Sequence, residues 1–334
     1  MSHSACKPVS SSVVGQRLEA VADIRAIHEH VLANSFDLLQ TDHTLSGIDM
    51  ALWDLLGKKE GTPVWALSGQ KENHPKLPYA SLLFGDDPAA THSAVRRLVA
   101  DGYRAIKLGW GPFGRHGVAA DVEQIVAARE ALGPDNHMMV DAGTIFGEDV
   151  ESAAARMDAL ANARVHWFEE PFVGGAFRAY HRLAADNRVA IAGGEGCHSP
   201  HQAEHMIDHA GVRFIQIDTG RLGGITPALR VARYAEKKGV VYVNHTFTTH
   251  LALAASLVPF VGMKDHEICE YPVEQKPLAR DLCQTRILRD GSGRIRLPDA
   301  PGLGVQPDPA VLKQYLVDTE IKVGGKVLYR TPQI

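Results

Sequence analysis

Residues 165–195 read VHWFEEPFVGGAFRAYHRLAADNRVAIAGGE. Two short apolar runs, 165–171 and 189–195, lie on either side of a polar loop and a helical stretch. Apolar runs that alternate with helical patterns are typical of β/α units with parallel strands. The stretch therefore predicts two neighbouring parallel strands, with Glu169 and Glu195 close to their carboxyl ends.

The same pattern repeats on both sides of this unit. Eight apolar runs separated by loops and helical stretches lie at 77–84, 103–110, 137–143, 165–171, 189–195, 214–220, 240–246 and 266–272. Eight strands alternating with helices indicate a parallel sheet. Their close spacing along the chain favours a sheet closed into a barrel over an open sheet. We predict an α/β fold with the barrel at residues 77–298.

The flanking segments have a different character. Residues 17–67 show two amphipathic patterns of helical period, and Ser46 is expected to cap the second helix. The closing stretch is rich in proline and glycine and is expected to return to the N-terminal helices. We therefore divide the chain into a mainly helical, partial cap (1–76), the barrel (77–298) and a C-terminal segment returning to the cap (299–334).

The composition excludes several classes of protein. A formal charge of −4 and a charged fraction of 22% do not suggest a nucleic-acid partner. No apolar run approaches the length of a membrane helix, and the N-terminus lacks the apolar core of a signal peptide. The four cysteines are widely spaced, as expected in a reducing compartment. We expect a cytoplasmic protein.

Polar residues end nearly every predicted strand. They are Lys107, Asp141, Glu169 followed by Glu170, Glu195, Asp218, His245 and Glu270. Their separations, from 23 residues (218 − 195) to 34 residues (141 − 107), each match one β/α unit. Because the active site of such a barrel lies at the carboxyl ends of its strands, these side chains are expected to converge there.

Two groups among them point to chemistry. Asp141, Glu169 and Glu195 would repel one another unless a cation lay between them, and oxygen ligands favour Mg²⁺, or Mn²⁺ in its place, over zinc. Asp218 and His245 follow neighbouring strands, and a carboxylate bound to one imidazole nitrogen raises the basicity of the other. They form a candidate general-base pair.

The sequence resembles the mandelate racemase subgroup of the enolase superfamily over roughly residues 44–305. The resemblance lies in SGIDMALWDLLGKKEGTPVWALSG at 46–69, WFEEP at 167–171, GGE at 193–195, IDTGRLGGIT at 217–226 and LPDAPGLGV at 297–305. It implies an α+β cap on a (β/α)7β barrel, and it also implies the roles of individual residues by their positions. Asp141, Glu169 and Glu195 become ligands of one Mg²⁺, His245 with Asp218 an acid/base dyad, and Glu270 a group near the substrate carboxylate. The resemblance also implies a homo-oligomer.

Three features depart from that family. The common Lys-x-Lys of the second strand is Lys107-Leu108-Gly109, so the second lysine, a base on the opposite face, is replaced by glycine. The common Asp-x-Asn of the third strand is Asp141-Ala142-Gly143. In the family, a β-sheet of the cap normally precedes these helices. The present sequence shows no strand-like pattern before its N-terminal helices.

These observations favour dehydration of an acid sugar to a 2-keto-3-deoxy acid. Dehydration needs only one acid/base group, His245, whereas racemisation is simplest with two. Lys107 adds positive charge where the enolate forms. A racemase or epimerase of a 2-hydroxy acid, and a superfamily member that has lost catalysis and binds or assembles instead, remain alternatives.

Two other motifs are weighed and set aside. GWGPFG at 109–114 matches the dinucleotide-binding glycine pattern, but Pro112 removes one backbone N–H and an acid does not end a strand about 20 residues later. His198, His201, His205 and His209 have helical spacing suited to zinc, yet they are typical of the solvated face of an outer helix.

Overall fold

The computed structural model describes residue 9 and residues 12–35 and 41–332. Ten strands are found in this part of the chain: β1 Leu77–Leu83, β2 Ala105–Gly109, β3 His137–Asp141, β4 Val165–Glu169, β5 Ile191–Gly193, β6 Phe214–Ile217, β7 Val241–Asn244, β8 Ile268–Pro272, β9 Glu320–Val323 and β10 Lys326–Arg330.

The helices before and within the first half of the barrel are α1 Val21–Asn34, α2 Thr41–Lys59, α3 Val64–Leu67, α4 Pro88–Ala100, α5 Val118–Leu132, α6 Val150–Ala154, α7 Met157–Asn162 and α8 Phe177–Ala184. Those that follow are α9 Pro200–His209, α10 Thr219–Leu222, α11 Ile225–Lys238, α12 His250–Leu257, α13 Pro277–Asp281 and α14 Pro309–Tyr315. Among the described residues, no helix is long and apolar enough to cross a membrane.

The first eight strands form one parallel sheet in the order β7-β6-β5-β4-β3-β2-β1-β8. The two end strands, β7 and β8, lie against each other, and the side chain of Asn244 joins them. Its Nδ2 donates to the carbonyl of Glu270 (3.2 Å), and the Glu270 N–H donates to its Oδ1 (2.9 Å). The predicted barrel, with a helix after each of its first seven strands, is confirmed.

The interior of the barrel is filled by one side chain from each strand. This cluster consists of Tyr79, Ala105, Met139, Trp167, Ala192, Phe214, Val243 and Ile268. Large and small side chains alternate around much of the ring, so that the layer fills the barrel as a packed core rather than a pore. The outward sides of the strands pack against the surrounding helices in a second, larger core. These layers fix the strand ends where the polar residues lie.

The N-terminal helices pack on the barrel rather than standing apart. The expectation that Ser46 caps a helix is wrong, since it lies inside α2, where its Oγ donates to the carbonyl of Asp42 (2.8 Å). Near the C-terminus, the Leu303 N–H donates to Oδ1 of Asp54 in α2 (2.8 Å). Within the described residues, no strand precedes β1. The division of the chain at 76/77 and 298/299 stays a prediction.

Candidate active site

The structure brings the predicted strand-end residues together at one end of the barrel. They come from β2 to β8 and are Lys107, Asp141, Glu169, Glu195, Asp218, His245 and Glu270. Register contributes directly, because Asp141 and Glu169 are paired positions on β3 and β4. Five of the seven are buried, the exceptions being Glu195 and Asp218, which are partly exposed.

Three carboxylates form a cluster suited to a cation. Asp141, Glu169 and Glu195 each offer an oxygen, and these oxygens lie within 4.8 Å of one another. Burial raises the pKa of Asp141 to about 8, and repulsion from Glu169 adds to that rise. Burial likewise raises the pKa of Glu169, and the charge of Glu195 contributes. Three converging acids whose charge is disfavoured by burial and by one another fit a hard divalent cation, which would offset both effects.

Lys107 compensates part of this negative charge. Its Nζ lies 2.5 Å from Oε1 of Glu169, 3.1 Å from Oε1 of Glu270 and 3.8 Å from Oδ2 of Asp141. Burial disfavours the ammonium, but Glu169 and Glu270 outweigh it and raise the pKa of Lys107 well above its ordinary value. These carboxylates therefore favour the charged form of the lysine.

The candidate base pair has the expected geometry. Nδ1 of His245 lies 2.9 Å from Oδ2 of Asp218, while Nε2 lies 3.1 Å from Oε2 of Glu195 and 3.8 Å from Oε2 of Glu270. Carboxylates only accept, so Nδ1–H donates to Asp218, and the imidazolium, which donates from both nitrogens, is the form that Asp218 and Glu195 together favour. Burial lowers the pKa of His245, but the charges of Glu270, Glu195 and Asp218 prevail and raise it to about 9.

Sequence reasoning missed Arg221, which joins the dyad to the acidic cluster. Its Nη1 donates to the carbonyl and to Oε1 of Glu195, at 3.2 and 3.1 Å, and its Nε lies 3.7 Å from Oδ2 of Asp218. It stands on α10, the short helix that Asp218 caps by accepting from the Gly220 N–H (2.7 Å). The signal was present in IDTGRLGGIT, where this arginine lies three residues after the aspartate.

The N-terminal helices hold the turn that follows α10. Gly223 and Gly224 have φ angles of +110° and +105°, which favour glycine. The Gly223 N–H donates to Oγ of Ser46 (2.9 Å), and the Thr226 N–H donates to Oδ1 of Asp49 (3.1 Å). A Cβ at Gly224 would lie 2.3 Å from that Asp49 oxygen. The cap segment thus fixes the position of the helix that carries Arg221.

A cavity of about 220 Å³ opens beside the dyad. Its lining includes His245, Arg221, Phe247 and, from the N-terminal helix α2, Met50. Thr246 also borders it, and the hydroxyl oxygen of this residue is, within the described part of the chain, buried without a hydrogen-bond partner. The His245–Asp218 dyad therefore borders a cavity that is large enough for a small polar molecule.

The two glycines that depart from the family pattern lie against Asp141. A Cβ at Gly109 would lie 2.7 Å from Cβ of Asp141, so that β2 and β3 leave no room for a side chain there. Trp110, which sequence reasoning also missed, donates from its indole Nε1 to Oδ2 of Asp141 (3.2 Å). The N–H of Gly143 donates to the other oxygen, Oδ1 (2.8 Å).

A parallel barrel with an acidic cluster, a lysine and a His–Asp pair at its mouth defines a class of barrel proteins with a candidate metal centre. The family model described as enolase C-terminal domain-like matches residues 90–311. The model of the mandelate racemase / muconate lactonizing enzyme N-terminal domain matches residues 5–69. The chain therefore belongs to the mandelate racemase and muconate lactonizing enzyme family of the enolase superfamily, as the sequence resemblance predicted.

Several relatives show the range of this family. The chain is 31% identical over 284 residues to D-galactarolactone cycloisomerase from Agrobacterium fabrum (81% of this chain, 73% of the relative). It is 31% identical over 279 residues to D-galactonate dehydratase from Variovorax paradoxus (79% and 71%). A crystal structure described as a predicted mandelate racemase from Rhodobacter sphaeroides superposes with a TM-score of 0.95 at 56% identity, covering 99% of this chain and 85% of that one.

Proposed function

We propose that this protein is an enzyme that removes the proton α to the carboxylate of an acid sugar and expels the β-hydroxyl as water, giving a 2-keto-3-deoxy acid. The observation that carries the proposal is the orientation of His245. Its Nδ1 is fixed by Asp218, and its Nε2 lies 3.1 Å from Glu195, one of the three clustered carboxylates. The D-galactonate dehydratase among its relatives supports the reaction class.

Asp141, Glu169 and Glu195 would hold one Mg²⁺, with Mn²⁺ as a substitute. Their converging oxygens and the raised pKa values of Asp141 and Glu169 fit that ion. When bound, the cation would supply positive charge that stabilises the enolate form of the substrate carboxylate. Lys107, with its ammonium among Glu169 and Glu270, adds a second positive charge on the same side.

His245 carries the proton transfers in this proposal. Neutral His245 accepts the α-proton at Nε2, and Asp218 stabilises the imidazolium through Nδ1. The same Nε2–H then donates to the β-hydroxyl as its C–O bond breaks, and the enol becomes the 2-keto acid. The charges of Glu270 and Glu195 raise the pKa of His245 to about 9. Positive charge held by the carboxylates would lower that pKa toward neutrality, where the ring can act as a base.

Gly109 favours elimination over racemisation. Racemisation is simplest with a second base on the face opposite His245, the position that the second lysine of Lys-x-Lys supplies in the family pattern. A side chain at Gly109 would meet Asp141 at its first carbon. An elimination that uses His245 for both proton transfers needs no such group. A racemase or epimerase, and a protein that binds without catalysis, are the competing interpretations.

The test is proton NMR in D₂O with Mg²⁺ and a panel of mono- and diacid sugars, using His245→Asn as the control. Loss of the α-proton signal with a new 3-deoxy methylene, absent in the variant, is the expected result. Exchange at the α-carbon without elimination would move the assignment to racemisation or epimerisation. Inertness toward the whole panel would favour a role without catalysis. Substantial turnover by His245→Asn would overturn the role of His245.

A further inference from the structure

Trp110 is an aromatic residue in an unusual state at the mouth of the barrel. It follows the last residue of β2, its φ is +55°, and 52% of its surface is exposed. A bulky residue in the left-handed region is rare and persists only where its surroundings impose it. An exposed indole is also an unfavourable use of apolar surface. Both features suggest that its position serves a ligand.

Three contacts hold the indole in place. Its Nε1 donates to Oδ2 of Asp141 (3.2 Å), and its backbone N–H donates to the carbonyl of the same residue (3.3 Å). The ring also lies directly over Gly143, where a Cβ would be 2.7 Å from Cε2 and 2.8 Å from Cδ2 of the indole. Trp110 and the departure at Gly143 are therefore linked, because the indole fills the space that a side chain at 143 would need.

The indole and the imidazole of His245 belong to different sides of the mouth. Trp110 follows β2 and His245 follows β7, and the shorter path between these strands around the barrel still crosses β1 and β8. The longer path around the barrel, from β2 to β7 through β3–β6, carries the acidic cluster at the ends of β3 to β5. A carboxylate compound seated over the cluster would therefore have the base on one side and a flat aromatic surface on the other.

We propose that Trp110 is a substrate-contacting residue that selects cyclic sugar acids, whose ring presents a flat C–H face to the indole. This inference rests on the abstraction of the α-proton by His245 in the proposed function. In a cyclic substrate the ring oxygen takes the place of the β-hydroxyl as the leaving group. Aromatic rings favour large, flat apolar contacts, which an open, fully hydroxylated chain offers less well. A relative named as a cycloisomerase of a lactone is consistent with it.

A cyclic substrate changes the outcome of the same proton transfer. The α C–H bond breaks, and its proton passes to Nε2 of His245. The bond between the β-carbon and the ring oxygen then breaks, its electron pair remains on that oxygen, and Nε2–H of His245 returns its proton to the same oxygen. The enol loses its hydroxyl proton while the β-carbon gains one, which gives an open-chain 2-keto-3-deoxy acid. No water is lost, so that the reaction is an isomerisation.

Galactarate and its monolactone form a matched pair for the test, because they share carbon skeleton and carboxylate and differ in the ring. Trp110→Ala and Trp110→Leu also remove the hydrogen bond to Asp141, so both acids share any loss through the metal site. The ratio of kcat/KM for the monolactone to that for galactarate should fall by about tenfold. Trp110→Phe keeps a flat ring and should retain the preference. Equal losses for both acids would overturn the proposal, because Trp110 would then act only through Asp141.

A binding measurement separates this inference from the proposed reaction. The chain has four tryptophans, and partly buried Trp65 provides a matched control. With Mg²⁺ present, the monolactone should quench tryptophan fluorescence in the wild type and in Trp65→Phe but not in Trp110→Phe. Such quenching without turnover of either acid would support Trp110 as the contact and overturn only the proposed reaction. Quenching that persists in Trp110→Phe would overturn the contact itself.

Discussion

Nδ1 of His245 lies 2.9 Å from Oδ2 of Asp218, and the two residues directly follow neighbouring strands, β7 and β6. The aspartate has two tasks, because its other oxygen accepts from the Gly220 N–H and caps α10. Burial opposes its charge, yet the hydrogen bond from His245 and that residue's charge lower the pKa of Asp218. It is therefore an ionised partner that fixes the tautomer of the imidazole.

Asp218→Asn is expected to abolish most activity without unfolding the protein. Asparagine is as good a helix cap as aspartate, so α10 should persist. Its side chain cannot stabilise an imidazolium, and turnover should fall by about 10²- to 10⁴-fold. Steady-state kinetics and circular dichroism would check this, with Asp208→Asn, which changes an exposed aspartate bound to Lys238, as the control. Activity within about threefold of the wild type would contradict the role of Asp218.

The acidic cluster predicts a metal-dependent gain in stability. Mg²⁺ at about 100 times its dissociation constant should add about 2.7 kcal/mol to the free energy of unfolding, because it binds the folded state alone. Asp141→Asn removes one ligand and should abolish most of that gain. Thermal melts with and without Mg²⁺ would measure it, and Asp135→Asn, at an exposed position, should behave as the wild type. A melting temperature of the wild type that does not change on addition of Mg²⁺ would refute the metal site.

Gly109 provides a test of the packing around that site. Gly109→Ala places a Cβ 2.7 Å from Cβ of Asp141, and either β2 or the carboxylate has to move. We expect overpacking to cost about 1–3 kcal/mol of stability and to reduce the Mg²⁺-dependent gain. Gly174→Ala is the matched control, since a Cβ there meets nothing within 4 Å. Chemical unfolding of both variants with and without Mg²⁺ measures these losses. Equal unfolding free energies for Gly109→Ala and Gly174→Ala would show that the close approach of Gly109 to Asp141 is unimportant.

The barrel and its seven polar strand ends were accessible from the sequence because both follow from a local repeat. Each apolar run with a polar residue at its end specifies a strand and its orientation, and parallel strands bring their carboxyl ends together. Glu169 and Glu195 could therefore be placed from about one β/α unit of sequence.

The contacts that support the site could not be predicted in this way. Trp110 is held by a left-handed backbone and fills the space over Gly143, and neither feature has a periodic signal. Ser46 appeared to be a helix cap, because a serine before an apolar pattern has that local meaning. In the structure it accepts from Gly223, 177 residues further along the chain, and only the packed fold reveals such a pair.

Asp49 leads to a prediction about pH, because it is a buried acid at the junction of the N-terminal helices and the barrel. Only 1% of its surface is exposed, and burial raises its pKa to about 7. The folded state therefore holds a proton that the unfolded chain, with an ordinary value of 3.8, has already released. Stability from this group is complete below about pH 4 and is lost as the pH rises toward 7.

The slope of this loss is on the order of 1.4 kcal/mol for each pH unit between those values. Asp49→Asn keeps an acceptor for the Thr226 N–H but does not titrate. From about pH 5 to 7 the wild type should therefore lose more unfolding free energy than the variant does. Urea unfolding at both values measures this, with exposed Asp86→Asn as the control. A difference that stays constant with pH would show that Asp49 is ionised in the folded protein. Because Asp49 also fixes the turn after α10, an ionised carboxylate would then hold the segment that carries Arg221.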